Sequence, residues 1–107
     1  MSALAEQQLD LTFHALAHTV RRALFERIQR EEVSVVELAK PFKASLVAIS
    51  KHLKVLEKAG LIQRRKEGRM YYFQAIAQPI NNAEEWIKKH KKFWNFQLNA
   101  LDDYLKS

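Results

Sequence analysis

Residues 45–72, SLVAISKHLKVLEKAGLIQRRKEGRMYY, pass from helical to strand periodicity within one short span. Ser45 is placed to cap a helix, because its hydroxyl can accept a bond from an otherwise unpaired first-turn N–H. From there Ile49, Leu53 and Leu56 fall on one stripe at spacings of four and three. The opposite side carries Val47, Lys51, Lys54 and Lys58, flanked by Ala48 and Val55. Gly60 is expected to end the helix, since glycine tolerates the left-handed conformation that helix C-termini require. Two strands follow, Leu61 to Lys66 and Arg69 to Gln74, around a Glu67-Gly68 turn. Arg64, Arg65, Lys66 and Arg69 crowd near its tip. Exposed cations on a strand edge also block edge-to-edge pairing, but four beside a lysine-faced helix suit a wing that holds phosphates.

Upstream, Ser34 caps a brief helix from Val35 to Lys40, with Glu37 at the capping-box position. Pro41 stops it, because proline lacks the N–H and disfavours helix in the residue before it. Phe42 to Ala44 then form the turn between two short helices. Val33 is expected to add a short strand beside the hairpin. Thr19 is a candidate cap for a helix from Val20 to Arg30, with Ala23, Leu24 and Ile28 inward. Arg21 and Arg22 are expected in surface ion pairs, with a lean toward a phosphate as the alternative. The first helix spans about Ala3 to Ala17, with Leu9, Phe13 and Leu16 on one side.

Charge separates a polyanion site from an ordinary solvated surface. From Lys40 to Tyr72 there are nine Lys or Arg and two acids, a net of +7, while the remainder is −1. The whole formal excess of +6 therefore sits in one third of the 107 residues. A basic field confined to one helix and one hairpin is the footprint of nucleic acid binding. Enzymatic readings find no residue set. His14, His18, His52 and His90 are scattered, no HExxH motif occurs, and two glycines cannot build a phosphate loop. The absence of cysteine rules out disulfides, thiolate metal sites and cysteine redox sensing. No signal peptide and no apolar run near ~18 residues is visible, so a single soluble cytoplasmic domain covering 1–107 is expected.

The last helix is read from Pro79 to about Leu105. Ile80, Ile87, Trp94 and Leu101 recur every seven residues, with Ala83, Leu98 and Leu105 near the intervening positions. Trp86, Phe93 and Tyr104 widen the stripe. Such a helix spans ~39 Å, more than a domain this small needs for its own core, which implies burial against another chain. The run Lys88-Lys89-His90-Lys91-Lys92 is read as a solvated face pairing with Glu84 and Glu85.

Three segments together resemble the ArsR/SmtB family of winged helix-turn-helix repressors. They are Phe13-His-Ala-Leu-Ala-His-Thr-Val-Arg-Arg22, the run Ser45 to Ile62, and the Arg64-Arg65-Lys66-Glu67-Gly68-Arg69 wing with Tyr71-Tyr72. The likeness covers roughly residues 8 to 76 with the motifs in order. It implies a mainly α fold with a small β-hairpin, four helices before the wing and one after, dimerised through first and last helices. The interface candidates are Leu9, Phe13, Ile80, Ile87, Trp94, Leu98, Leu101 and Leu105. In the recognition helix Val47, Ala48, Ser50 and Lys51 are expected to meet base edges in the major groove of double-stranded DNA. Ser45, His52, Lys54 and the four wing cations are expected on backbone phosphates, with Arg69 the minor-groove probe. Ser34 and Val36 stand where metal-sensing relatives carry paired cysteines, and the last helix has no recognisable zinc ligand set. A dimeric repressor of an inverted-repeat operator, with no metal and no cofactor, is therefore expected. Its release signal is open between a small molecule in the dimer interface, a partner protein and protein concentration alone. The alternative reading is a winged helix serving protein interaction or RNA binding.

Overall fold

Leu24, Leu38, Ile49, Leu53, Leu56 and Leu61 are the largest fully buried side chains, and they come from three helices and the residue leading into a strand. The computed structural model describes residues 2–42 and 44–106. Five helices and three strands follow one another as α1 (Ala3–Leu16), α2 (Thr19–Arg30), β1 (Val33–Ser34), α3 (Val35–Ala39), α4 (Leu46–Lys58), β2 (Ile62–Glu67), β3 (Met70–Ala75) and α5 (Gln78–Lys106). The sheet is antiparallel in the order β1-β3-β2. Val33 pairs with Phe73, and both side chains are buried in the core. The two-residue strand thus ties the α2–α3 connection to the hairpin.

Local chemistry sets the element ends. Ser2, Ser34 and Ser45 each accept a backbone N–H three residues on, from Ala5, Glu37 and Ala48, at 3.1, 3.3 and 3.1 Å. At the end of α4, Gly60 has φ +76°, the Leu61 N–H donates to the Leu56 carbonyl and the Gly60 N–H to that of Glu57. These are the two bonds of a Schellman motif, completed by the apolar pair Leu56 and Leu61. The helix-turn-helix connection is described at Phe42 and Ala44; Lys43 of the expected turn lies outside the described residues.

Three expectations change. The α2 cap is His18, whose Nδ1 accepts the Val20 N–H at 3.1 Å, while Thr19 is already helical. The hairpin turn is Gly68-Arg69, not Glu67-Gly68, because Glu67 pairs with Met70. Only Gly68 has positive φ there, at +60°, the pattern of a type II′ turn with glycine in its first central position. Arg21 and Arg22 form no ion pair among the described residues. Arg21 is buried and donates to the carbonyls of Ala15 and His14 at 2.8 and 2.9 Å, and Arg22 donates to Leu16 at 2.7 Å. Both serve carbonyls in the last turn of α1, where cations also suit the helix dipole.

The 29 residues of α5 extend about 44 Å. Only the first turns dock. Ile80 packs on the core, Ala83 is buried, and Phe13 of α1 meets Trp86 edge-on at 5.8 Å. Beyond Ala83 every described residue of α5 is exposed, Ile87, Trp94, Leu98, Leu101 and Leu105 among them. No helix is long and apolar enough to cross a membrane among the described residues.

Candidate nucleic-acid interface

Helix α4 packs its Ile49, Leu53 and Leu56 stripe on α2 and α3, which leaves the opposite face outward. Val47 is 66% exposed, Lys51 and Lys54 are exposed and Ala48 is half-exposed. No carboxylate lies within ion-pair distance of Lys51, Lys54 or Lys58 among the described residues. An apolar residue beside lysines on a capped, rigid helix can meet thymine methyls and base acceptors while the amines reach phosphates. Leu46, half-exposed in the first turn, belongs to the same end of the face. It belongs neither to the apolar stripe nor to the lysine row of α4, so periodicity does not single it out.

Two expected contact residues sit on the flanks of α4. Ser50 is half-buried and lines a cleft of about 200 Å³ with Val35, Leu53, Arg64, Tyr71 and Phe73, beneath the wing. His52 faces the other way, toward α2. Its ring lies 4.5 Å from that of His18, and its Nδ1 is 3.4 Å from an Arg21 guanidinium nitrogen. Burial, then the neighbouring His18 and Arg21, depress the His52 pKa below the usual imidazole value. Its neutral form is therefore the one folding favours. In the unfolded chain His52 takes up a proton near its ordinary value, so below about pH 6.5 the unfolded state binds more protons and stability falls with pH. The wild type is expected to lose more of its urea midpoint between pH 7.5 and 5.5 than His52→Gln does. Equal losses would place the acid sensitivity elsewhere.

On the wing, strand alternation splits the cations between two faces. Arg64 and Lys66 lie over Tyr71 at 5.1 and 5.9 Å, and Arg65 lies over Tyr72 at 5.2 Å on the other side. Arg64 reaches back to Glu57 of α4 with Nε and NH2 at 2.9 and 2.6 Å from its two carboxylate oxygens. The hydrogen bonds that Arg64 donates to Glu57 raise its pKa further. Arg65 is held by Glu32, before β1, and by Glu67. Lys66 and Arg69 have no carboxylate within ion-pair distance among the described residues. Of the four wing cations expected on phosphates, two are engaged with acids of the same chain and two are open among the described residues. Glu57 and Glu32 are the residues the sequence reading missed. The signal available was that Glu57 is one of only two acids in the +7 stretch.

A buried three-helix core, a helix-turn-helix with its second helix presented, and a β-hairpin alongside define a winged helix-turn-helix domain. A family model described as a helix-turn-helix domain matches residues 16–65. The transcriptional repressor SmtB homolog of Synechocystis is 31% identical over 90 residues, covering 84% of this chain and 68% of that protein. The crystal structure of an ArsR family transcriptional regulator superposes with a TM-score of 0.80 at 36% identity, covering 84% of this chain and 93% of that one. An ArsR-like transcriptional regulator from Rhodococcus gives 0.83 at 26% identity over 100% of this chain and 98% of its own. The homodimeric winged helix-turn-helix DNA-binding domain from Mycobacterium bovis shares the fold, with a TM-score of 0.67 at 22% identity over 85% and 86% of the two chains. The chain belongs to the ArsR/SmtB family of transcriptional regulators and carries that family's winged helix-turn-helix DNA-binding domain.

Proposed function

We propose that the protein is a homodimeric repressor of an inverted-repeat operator that acts without a metal ion. The observation carrying this reading is the outward face of α4, where Val47, Ala48, Lys51 and Lys54 stand clear of their own chain beside the open wing cations Lys66 and Arg69. In this reading the first two turns of α4 enter the major groove, with Lys51 donating to guanine and Val47 touching a thymine methyl. The Ser45 hydroxyl and Lys54 hold phosphates, and Arg69 at the wing tip probes the minor groove.

Dimerisation is supported by the undocked apolar side of α5 and by the homodimeric state of the Mycobacterium bovis neighbour. Two-fold symmetry then requires half-sites about one helical turn, ~34 Å, apart or a multiple of it. Phe13 of α1 borders the α5 seam through Trp86 and Leu9 lines a cleft with Asn82 and Glu85 of α5, whereas Ile80 is occupied by its own core and contributes little. Occlusion of polymerase is the simplest route to repression, and the named repressor among the relatives supports that sign. Metal independence is supported by the chain's lack of cysteine, Ser34 and Val36 offering no thiolate.

The test is a footprint on the DNA upstream of the protein's own gene, with and without EDTA. A protected inverted repeat that persists in EDTA is expected. Protection lost in EDTA would overturn metal independence, and diffuse, salt-fragile binding would overturn the operator reading in favour of an interaction or RNA-binding module.

A further inference from the structure

The guanidinium of Arg64 and the carboxylate of Glu57 form two parallel hydrogen bonds, at 2.9 and 2.6 Å, between β2 of the wing and the last turn of α4. Arg64 also lies over the rings of Tyr71 and Phe73, at 5.1 and 5.7 Å. A planar guanidinium bonded to a carboxylate through two N–H groups of one edge fixes direction as well as distance, which a single lysine contact does not. Its place in the ribbon matters. Arg64 pairs across the sheet with Phe73, the last buried residue before the tip, and every residue of β2 after Ile62 is exposed. The fork therefore sits where the hairpin leaves the core.

From Arg64 to Gly68 is about 13 Å of strand at ~3.3 Å per residue, so a tilt of roughly 15° at the fork carries the tip ~3.5 Å sideways. That exceeds the length of a hydrogen bond to phosphate. On the opposite face Arg65 binds Glu32 and Glu67, a second tether from the α2–β1 connection.

From this geometry we propose that Arg64, through Glu57, is a positioning residue that sets the angle between wing and recognition helix. The phosphate contacts of the wing then belong to Lys66 and Arg69. The same pairing neutralises Glu57, an acid on the flank of a helix that faces a polyanion. The inference rests on the DNA-binding reading above and extends it to a division of labour within the wing.

The two roles separate by salt dependence, because each phosphate neutralised contributes about 0.9 to the slope of log K against log salt. Binding of the full chain to its footprinted operator is measured by anisotropy at several salt concentrations. Glu57→Gln is expected to weaken binding about tenfold, the scale of one lost charge-assisted hydrogen bond, although it removes a negative charge. Arg64→Gln should weaken binding comparably, add little in the Glu57→Gln background, and leave the salt slope unchanged. Lys66→Gln should lower the slope by about 0.9. Tighter binding by Glu57→Gln, or a slope lowered by Arg64→Gln, would overturn the proposal.

Failure of the DNA reading would show separately, as no protected repeat with the wild type. The positioning role is still read in that case by hydrogen exchange without DNA. Wing amides from Lys66 to Tyr72 should exchange faster in Glu57→Gln, and unchanged rates would overturn the clamp.

Discussion

Trp94→Glu is expected to leave the protein monomeric at micromolar concentration in sedimentation velocity, where the wild type is expected to sediment as a dimer. Trp94 is 61% exposed, on the side of α5 that also carries Ile87, Leu98, Leu101 and Leu105. None of these five has a place in the chain's own core cluster. A tryptophan anchor at the centre of such a seam is worth ~2–4 kcal/mol in association. A glutamate there adds the cost of an unpaired carboxylate taken out of water, several kcal/mol more. Together these weaken association by at least ~10³-fold, at about 1.4 kcal/mol per factor of ten. The domain itself should be untouched, because the substitution lies beyond the docked turns and glutamate is a good helix former. Circular dichroism should therefore match the wild type while the sedimentation coefficient drops. An unchanged dimer would place the interface away from α5.

The second large effect is on DNA. Lys51→Ala should cost ~1–3 kcal/mol of operator binding, roughly 5- to 150-fold, with no loss of thermal stability. Lys51 is exposed on α4, and alanine is the better helix former, so nothing folded depends on the amine. The comparison that decides its role is random DNA of the same length. If Lys51 reads a guanine, the variant loses operator affinity but keeps its random-DNA affinity. Equal loss on both would make it one more phosphate contact, and the readout of sequence would move to Val47, Ala48 and Leu46.

Recognition helix and wing were legible in residues 45–72 because local chemistry specifies them without reference to the rest of the chain. A serine hydroxyl accepting its own helix's third N–H is a local event, and so is a glycine at φ +76° closing a Schellman motif. The apolar stripe of α4 was equally plain, since Ile49, Leu53 and Leu56 meet whatever core forms on that side. The hairpin was misplaced by one residue. Glycine serves the first central position of a type II′ turn and the second of a type I′ turn alike, so sequence leaves the register between them open.

The chain's sequence by itself thus determined the order of elements, the caps, the concentration of charge and the free seam of α5. Tertiary structure alone decided which charges are available. Arg21 and Arg22 look like surface cations until the turn after Ala17 brings them under the last carbonyls of α1. Arg64 and Arg65 read as two more exposed cations of the wing, and the fold sets one against Glu57, seven residues earlier, and the other against Glu32, thirty-three residues earlier. His52 likewise finds its neighbours, His18 and Arg21, only in the fold. Propensity, periodicity and capping act over three or four residues and can be read from the string. The partner of a long, flexible cationic side chain is chosen by whichever carboxylate or carbonyl the fold carries into reach, and no local pattern encodes that choice.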